Sequence, residues 1–303
     1  MRIRPVVDGE DLDVVHADNP YWFGSHDFWA VMRAAAVTSP SYSWVAEGSD
    51  RSLVGHATVF CEAVRRPDQA RGFVWVSPSA RRQRVGTAMH AQVMRTATEN
   101  GFPRVLMSAQ DAQPGSVEAA QTWGGHEDGY HHEQTLDLTT LSDTQVNAWC
   151  EPATAYGVTL HGVSGVDELE MLYPFCRDRF DEAPDMGDES EPLSKELFLV
   201  FAKPERMLVA RRGAEVVGFT SFAMRLGSPP AANIEFTGVH PDHRGHGIAL
   251  ALKAEHARRM RDDGVAVVYT QNMDENGPIL AVNTRMGFVR QPGRTDFWFP
   301  ALP

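Results

Sequence analysis

The chain has few cysteines and no excess of positive charge. These two features argue against particular classes of protein. Its three cysteines, Cys61, Cys150 and Cys176, are far apart and include no Cys-x-x-Cys pair, which is typical of reduced thiols in a cytoplasm rather than of a disulfide scaffold. The formal net charge of −12 argues against a protein that grips phosphate backbones. We therefore expect a cytoplasmic protein with no nucleic-acid partner.

Long hydrophobic runs are absent as well. No stretch approaches the roughly 20 apolar residues that span a bilayer, and MRIRPVVDGED at the start has no apolar run after its arginines. The sequence therefore predicts neither a membrane segment nor a signal peptide. A hydrophobic content of 43% over 303 residues still allows a sizeable core, and this length favours two domains over one.

What the chain does contain is an internal repeat. VSPSARRQRVGTAMHAQVM at 76–94 aligns without gaps with VHPDHRGHGIALALKAEHA at 239–257. Three more pairs share this same offset in numbering: Val54-Gly55 with Val217-Gly218, Asn100-Gly101 with Asp263-Gly264, and Trp123-Gly124 with Met286-Gly287. Matches at one ungapped offset predict two copies of one domain. We place them at residues 1–145 and 158–303, with the boundary near 140–158.

Each copy alternates strands and helices, which predicts an α/β or α+β fold. In the second copy, RMLVARRGAEVVGFTSFAM predicts a hairpin that turns at Arg212-Gly213, and ANIEFTGV, VAVVYTQN and TDFWF predict further strands. A helix is expected from about Gly247 to Arg261, ending at a glycine stop, and a shorter one from about Pro278 to Met286.

TGVHPDHRGHGIALALK at 237–253 places two glycines and an arginine where the longer helix begins. The free N–H groups of a first helical turn and the helix macrodipole attract anions. Glycines let the backbone approach a pyrophosphate closely, and Arg244 is able to add charge-assisted hydrogen bonds. The stretch predicts a phosphate cradle, and the alternative is a plain glycine-containing turn before a surface helix.

VHPDHRGHGIA resembles the V-x-P-x-x-R-G-x-G-x-A signature of the GNAT (Gcn5-related N-acetyltransferase) superfamily, and NGPILAVNTRMGF resembles its later motif, N-x-x-A-x-x-L-Y-x-x-x-G-F. The resemblance covers most of residues 160–300. It implies two tandem GNAT-like domains, each a mixed, mostly antiparallel sheet flanked by helices. It also implies acetyl-CoA as donor, a small-molecule amine as acceptor, no metal, and a monomer or homodimer.

The resemblance further implies where acetyl-CoA binds. Its pyrophosphate would lie on the loop Arg244, Gly245, His246, Gly247, Ile248 and Ala249, which matches the family's Q/R-x-x-G-x-G/A pattern. Its pantetheine would lie beside the splayed strand that ends at Val239, whose N–H would polarise the thioester carbonyl as an oxyanion hole. Asn276 fits the motif asparagine that lines the CoA arm.

Amide formation requires a base that takes a proton from the amine. Glu235 stands in the apolar run ANIEFTGV, where burying a carboxylate is costly, and strand alternation predicts that it shares a face with Thr237 and Val239. Many GNATs carry a general-base glutamate at this position, often working through water. The alternative is a structural acid hydrogen-bonded to the hairpin.

The departing thiolate needs a proton, and the family's usual donor is the motif tyrosine. Asn283 stands at that position, and an amide is able to donate a hydrogen bond to a thiolate but not to release a proton near neutral pH. We keep Asn283 as a catalytic candidate in this limited role. Water, the substrate ammonium or Tyr269 would then reprotonate CoA.

The first copy departs further from the family pattern, since Arg84, Gly72 and Ala120 stand where Gly247, Glu235 and Asn283 stand. We therefore expect a degenerate first copy and chemistry in the second copy alone. For the acceptor, DRFDEAPDMGDESEP at 178–192 is an acidic loop in a region that often walls the GNAT acceptor site, and we single out two carboxylates in it as substrate-binding candidates, Asp185 and Asp188. The alternative is a solvated acidic loop.

His240, His243 and His246 imitate a metal motif, but the loop geometry should scatter their rings, so we expect no metal. Two other functions remain open. The missing tyrosine and the degraded first copy are compatible with a CoA-binding pseudoenzyme or regulatory module. A GNAT with another donor, a longer acyl-CoA or an aminoacyl-tRNA, is the third reading, and the acidic charge balance argues against the tRNA.

Overall fold

The computed structural model describes residues 1–7, 12, 14–15, 19, 41–61, 68–183, 192–225 and 229–301. Two substrate-binding candidates, Asp185 and Asp188, lie outside the described residues. The contacts divide the chain into two compact units. Unit 1 comprises Met1–Tyr130 and Gly293–Pro303, and unit 2 comprises His131–Pro292.

Strands and helices alternate along the chain as the sequence predicts. The strands are β1 Arg2–Pro5, β2 Ser41–Glu47, β3 Leu53–Cys61, β4 Gln69–Val76, β5 Arg104–Gln110, β6 His126–Asp137, β7 Val158–Gly162, β8 Met207–Arg212, β9 Glu215–Arg225, β10 Ala231–Val239, β11 Val267–Met273 and β12 Val289–Pro300. The helices are α1 Val85–Glu99, α2 Ser116–Thr122, α3 Asp143–Ala155, α4 Val166–Asp181, α5 Lys195–Phe201, α6 Ile248–Asp262 and α7 Gly277–Met286. No helix in the described ranges is long and apolar enough to cross a membrane.

Each unit is built on a mixed, mostly antiparallel sheet. The strand order is β1-β2-β3-β4-β5-β12 in unit 1 and β6-β11-β10-β9-β8-β7 in unit 2. The pairs β4–β5 and β10–β11 are parallel, and the other pairs with a described register are antiparallel. The α/β architecture expected from the sequence is therefore confirmed.

The repeat offset is preserved in the structure. Helix α1 begins at 85 and ends at 99 where α6 begins at 248 and ends at 262, and strand β5 covers 104–110 where β11 covers 267–273. Both pairs keep the offset that relates position 76 to position 239. The predicted hairpin also forms, because Arg212 pairs with Glu215 across a turn in which Gly213 has φ +62°.

One repeated glycine has a packing reason. A Cβ at Gly218 on β9 would lie 3.0 Å from the Gly238 oxygen and 3.1 Å from the Leu252 side chain of α6. The equivalent Gly55 would meet the Met89 sulfur of α1 at 2.7 Å. In each unit the long helix thus lies close to the sheet at this glycine, and a Cβ would require a neighbouring atom to shift.

The last strand of each repeat joins the other repeat's sheet. The part of β6 from His131 onward belongs to unit 2 and pairs with β11, while the part of β12 from Gly293 onward belongs to unit 1 and pairs with β5. The segment 143–155, where we expected the boundary, is helix α3 inside unit 2. Its start has a capping box formed by Ser142 and Gln145.

Candidate active site

Strands β10 and β11 form a fork in unit 2. They pair in parallel over three residues only, Ala231–Asn233 with Val267–Tyr269. From Ile234 to Val239 the edge of β10 that faces β11 has no ladder partner in the described register. The strands therefore diverge beyond Asn233 and Tyr269 and leave backbone N–H and C=O groups of the gap available to an extended ligand.

The loop after β10 has the backbone of an anion cradle. Gly245 and Gly247 have φ of +82° and +76°, and Gly247 begins α6 without any side-chain cap. The first-turn N–H groups of α6 are therefore not capped by a side chain from this loop. A Cβ at Gly245 would meet no atom within 4 Å, and residues 244–246 are exposed, so the space over the loop is open.

Arg244 ties the loop to the end of β10. Its Nε donates to the Val239 carbonyl at 3.2 Å, and a terminal guanidinium nitrogen donates to Glu182 at 3.1 Å. The side chain is 59% exposed. Arg244 thus lies beside the strand end with its charge accessible, as a group that contacts a pyrophosphate requires.

The loop histidines pack against the protein and do not converge on one point. The His243 ring bonds the Tyr156 hydroxyl at 3.1 Å and Glu215 at 3.2 Å. The His246 ring stacks on Tyr156 with centroids 3.6 Å apart. His240 accepts from the Asp242 N–H at 3.3 Å. Within the described ranges, no three His, Cys, Asp or Glu side chains are grouped to hold a metal ion.

Glu235 lies on a β-bulge. Ile234 pairs with Phe222 and Phe236 with Ser221, so Glu235 is the extra residue of β10 opposite β9. Glu235 is an exposed residue, and desolvation by the surrounding protein raises the pKa of its carboxyl group, an effect that Arg225 partly offsets. A carboxyl group with a raised pKa on a residue that solvent reaches has the properties of a general base.

The bulge corrects one expectation about the strand face. Thr237 pairs with Thr220, whereas Ile234 pairs with Phe222. Thr220 and Phe222 are two residues apart and share a face, so Thr237 shares a face with Ile234 and not with Glu235. The predicted common face of Glu235 and Thr237 is wrong, because the extra residue reverses the alternation.

A polar cluster lies at the closed end of the fork. Arg225 donates to the Asn233 side-chain oxygen at 2.8 Å and lies 3.6 Å from Glu133 and 3.5 Å from the centre of the Tyr269 ring. Gln271 donates to Glu133 at 3.0 Å. Sequence reasoning missed Glu133, because it lies in the last strand of the first repeat and reaches unit 2 only through the strand exchange.

Asn283, the predicted hydrogen-bond donor to the thiolate, is completely buried. Its amide nitrogen donates to Gln134 at 2.7 Å and to Asn272 at 3.0 Å, and its oxygen accepts from Lys253 at 2.5 Å. Both amide hydrogens are therefore used inside the protein. Direct donation from Asn283 to a thiolate would break one of these bonds.

Lys253 is the functional candidate that sequence reasoning overlooked. It is fully buried on α6, and burial lowers the pKa of its amine to about 7. A signal was present, since helical spacing places position 253 on the stripe of Leu250, Ala254 and Ala257, all of which are buried in the core of unit 2.

The other predicted CoA contacts lie along this same side of unit 2. Ile248 is buried and Ala249 half-buried in the first turn of α6. Asn276 is half-buried at the start of α7, where its N–H donates to the Met273 carbonyl at 3.1 Å. The loop follows β10 and α7 follows β11, and because these two strands are parallel both segments start at the same edge of the unit 2 sheet.

Unit 1 keeps the loop and a short parallel pairing, since β4 and β5 pair over three residues only, and it lacks the bulge and its carboxylate. Arg82 and Arg84, at the positions of Gly245 and Gly247, have φ of +62° and +63°. The β3–β4 register is continuous, without a bulge. Gly72 aligns with Glu235 in sequence, but its pairing with Val59 matches that of Ile234 with Phe222, so β4 has no counterpart of the extra residue. A Cβ at Gly72 would lie 2.7 Å from Met107, so side chains already fill that space.

Comparison with known proteins agrees with this geometry. The acetyltransferase (GNAT) family model matches residues 12–124 and 169–288. The mycothiol acetyltransferase of Catenulispora acidiphila is 25% identical over 81% of this chain and 76% of its own length. That of Saccharomonospora viridis is 25% identical over 80% and 78%.

Among solved structures, the tandem GNAT protein from the clavulanic acid biosynthesis pathway is similar over 100% of this chain and 99% of its own, with a TM-score of 0.73 and 20% identity. A GCN5-related N-acetyltransferase from Sphaerobacter thermophilus is similar over 86% and 81%, with a TM-score of 0.68 and 18% identity. The expected tandem architecture, similar to that of mycothiol synthase, is confirmed. The chain belongs to the acetyltransferase (GNAT) family and is an acyltransferase with two tandem GNAT domains.

Proposed function

We propose that the protein transfers an acetyl group from acetyl-CoA to the amine of a small molecule, and that the chemistry takes place in unit 2. The observation that carries the proposal is the combination, in one unit, of the fork, the open glycine loop and a cleft carboxylate on a bulge. Unit 1 has the loop backbone without the carboxylate. We assign it a scaffolding role.

The residues present fit acetyl-CoA. The N–H groups of residues 245–249 would hold the pyrophosphate, with Arg244 beside them, since the loop backbone is open at Gly245. The pantetheine arm would extend along the gap between β10 and β11, with Asn276 next to it, because that gap has unpaired backbone groups. The Val239 N–H would polarise the thioester carbonyl.

Glu235 would act as the general base. Its raised pKa brings it closer to the operating pH, which improves proton transfer from an ammonium acceptor. The proton moves to the carboxylate directly or through water, because the group is exposed to solvent. The polar cluster of Glu133, Arg225 and Tyr269 would form the wall of the acceptor site at the closed end of the fork.

Calorimetric titration with acetyl-CoA tests the donor site. In Gly245→Glu the new carboxylate should repel the pyrophosphate and abolish binding at unit 2. Gly245→Arg imposes the same backbone strain with the opposite charge, so we expect this variant to retain binding. The equivalent residue of unit 1, Arg82, is an arginine with φ +62°, so a loop of this shape accepts one. Gly213→Glu, at another glycine of positive φ, is the control for strain and should bind as wild type.

The outcomes separate clearly. One site per chain that is lost only in Gly245→Glu supports the proposal. A second site that survives would mean that unit 1 also binds the donor, and the absence of any binding would contradict acetyl-CoA as donor. Acceptors would then be screened, beginning with mycothiol that lacks its acetyl group, glucosamine and simple alkylamines, because the first two follow from the names of similar proteins.

A CoA-binding protein without turnover is the second candidate function. The observation in its favour is Asn283, which is buried at the position of the motif tyrosine. Consumption of acetyl-CoA that depends on an amine and is lost in Glu235→Gln would contradict it.

A further inference from the structure

Lys253 and Asn283 form the centre of a buried polar network in unit 2. Both residues are 0% exposed, and the lysine amine lies 2.5 Å from the Asn283 oxygen and 5.1 Å from the centre of the Phe288 ring. Amines are rarely buried without a carboxylate partner. Here an amide oxygen and an aromatic face replace the carboxylate.

The network ends at the fork. Asn283 donates to Asn272 at 3.0 Å, and Asn272 lies on β11 three residues beyond Tyr269, the last residue that pairs with β10. Because the Asn272 oxygen accepts from Asn283, its own amide group points away from the network. Among the described residues that amide nitrogen has no hydrogen-bond partner, so its hydrogens remain available to a ligand that reaches this part of β11.

A positive charge on Lys253 affects the other side chains of the network through these hydrogen bonds. An ammonium that donates to an amide oxygen polarises the amide, which makes its N–H groups stronger donors. Asn283 in turn polarises Asn272 in the same way. The result is a donor at the gap whose strength depends on a cation two side chains away.

We propose that Lys253 is a positioning residue for acetyl transfer, whose ammonium acts through Asn283 and Asn272 to stabilise the CoA thiolate as it leaves at the fork. This inference rests on the proposed function, since it requires CoA in the gap between β10 and β11. The pair Lys253 and Asn283 thereby replaces the tyrosine of the family motif.

The reaction balances without a proton from Lys253. The amine nitrogen forms a bond to the acetyl carbon, the carbon–sulfur bond breaks, and its electron pair stays on sulfur. The proton that the amine gives up to Glu235 finally reaches the thiolate. Burial alone lowers the pKa of Lys253 to about 7, so negative charge at the gap shifts the amine toward its charged form, and the two charges stabilise each other.

The test compares CoA with desulfo-CoA, which lacks the sulfur, by calorimetry near neutral pH. We expect wild type to bind CoA about tenfold more tightly than desulfo-CoA, the value of one charge-assisted hydrogen bond. Lys253→Met should abolish this preference, so that it binds CoA and desulfo-CoA about equally. Its affinity for desulfo-CoA should equal that of wild type. The thiolate absorbance of bound CoA should also titrate at higher pH in Lys253→Met than in wild type.

Two further variants keep the test decisive. Asn272→Ala removes the last link of the network and leaves Lys253 bonded to Asn283. It should therefore lose the preference for CoA without any change at the lysine. His256→Phe is the matched control. His256 is buried one turn later on α6, its ring lies edge-on against Phe222, and it makes no bond to the network. This variant should keep the full preference.

The inference and the proposed function fail in different ways. Equal affinity of wild type for CoA and desulfo-CoA, or an unchanged preference in Lys253→Met or in Asn272→Ala, would overturn the inference and leave donor binding intact. The absence of binding of any CoA derivative to wild type would instead overturn the proposed function.

Discussion

Strands β4 and β10 are equivalent in the two repeats and differ by one extra residue. In unit 1 the pairing of β4 with β3 is continuous, and at Gly72 a Cβ would meet Met107 at 2.7 Å and Val105 at 2.9 Å. In unit 2 the bulge at Glu235 interrupts the pairing of β10 with β9. The position that matches Gly72 is Ile234, which is buried as well. The inserted residue is therefore an addition to the strand, and it presents a carboxylate for which unit 1 has no counterpart.

The loops after β4 and β10 show the reverse contrast. Their backbone conformations are the same, and their side chains differ. Ser77 has φ −52° and ψ 138° where His240 has −53° and 134°, and Arg82 and Arg84 adopt the left-handed conformation of the two glycines in unit 2. That conformation costs a non-glycine residue roughly 1–2 kcal/mol. The tertiary structure maintains the loop shape even where the residues best suited to it are absent.

The long helices show a third contrast at positions 90 and 253, which are equivalent in the two repeats. His90 stacks on Trp123 with centroids 4.6 Å apart and meets the Phe299 ring edge-on at 4.9 Å, and burial lowers its pKa to about 4. It is therefore neutral at physiological pH. Lys253 has polar partners instead. Among the described residues, unit 2 alone places a polar network at this position, and it alone carries a carboxylate on a bulge beside its fork.

The largest effect should come from Glu235→Gln. Removing a general base costs about 10²–10⁴-fold in turnover, while the affinity for acetyl-CoA should be unchanged. Because the pKa of Glu235 is raised above 4.5, kcat/KM of wild type should fall as the pH drops through that raised value, as the carboxylate becomes protonated. Steady-state kinetics over a pH series checks both effects.

Gly72→Glu in unit 1 is the partner experiment. It introduces the same carboxylate at the position that aligns with Glu235 in sequence, on a strand without the bulge, where Met107 leaves no room for it. We expect no gain in activity on an inactive Glu235→Gln background and a loss of stability. Restored turnover in the double variant would show that unit 1 needs only the carboxylate to become active.

Lys253→Met should change the pH dependence of stability. The fall of the lysine pKa from 10.5 to about 7 costs at most about 5 kcal/mol, and leaving the Asn283 oxygen unpaired costs about 1–3 kcal/mol. The variant should therefore be more stable than wild type by about 2–4 kcal/mol at pH 7 and below. Thermal or urea unfolding measures the difference.

The sign of this effect reverses at alkaline pH. Between about pH 7 and 10.5 the unfolded chain binds more protons than the folded protein at Lys253, so wild-type stability rises with pH there, by up to about 1.4 kcal/mol per unit. Near pH 10 wild type should equal or exceed the variant. His90→Phe in unit 1 should show no such trend in this alkaline range, because the pKa of His90 is lowered to about 4.

Gly218→Ala should destabilise more than Gly55→Ala. The new Cβ at Gly218 meets the backbone oxygen of Gly238 at 3.0 Å, whereas at Gly55 the nearest atom is the sulfur of the flexible Met89 side chain at 2.7 Å. Overpacking against backbone costs about 1–3 kcal/mol, and a methionine side chain is able to move aside. Equal losses in chemical unfolding would contradict this explanation.

Arg84→Gly should give the smallest change. It relieves the left-handed strain of Arg84 and adds backbone entropy to the unfolded chain, so we expect a gain of about 0.5–1 kcal/mol in the free energy of unfolding. The matched change in unit 2, Gly247→Ala, should destabilise, because its Cβ would meet Pro152 at 3.0 Å and φ is +76°. Differential scanning calorimetry of both variants tests the pair.

Much of the fold was predictable from the sequence because its signals are local. The hairpin turn at Gly213, the start of α6 after Gly247 and the helix stops at Gly264 and Gly287 all depend on glycines with positive φ. Because the offset between the repeats is constant and ungapped, an element predicted in one copy could also be predicted at the equivalent residues of the other copy. The candidate loop and Glu235 were found in the same way, since motif spacing lies within one segment.

The partners of these residues were not predictable, because they come from distant parts of the chain. Glu133 reaches Arg225, and Gln134 reaches Asn283, through a strand that follows the first repeat in sequence. The bulge at Glu235 has no local signature in ANIEFTGV. Its position follows from the pairing of β10 with β9, which involves residues on another strand.

By itself, the sequence determined the duplication, the order of strands and helices, the glycine loop and the carboxylate on the fourth strand of the second copy, because each depends on residues close together in the chain. The tertiary structure alone decided which unit the last strand of each repeat completes, which face Glu235 takes, and that Lys253 meets Asn283 in the core of unit 2. These depend on ladder pairing and on the burial of polar groups, which are satisfied only between segments far apart in sequence.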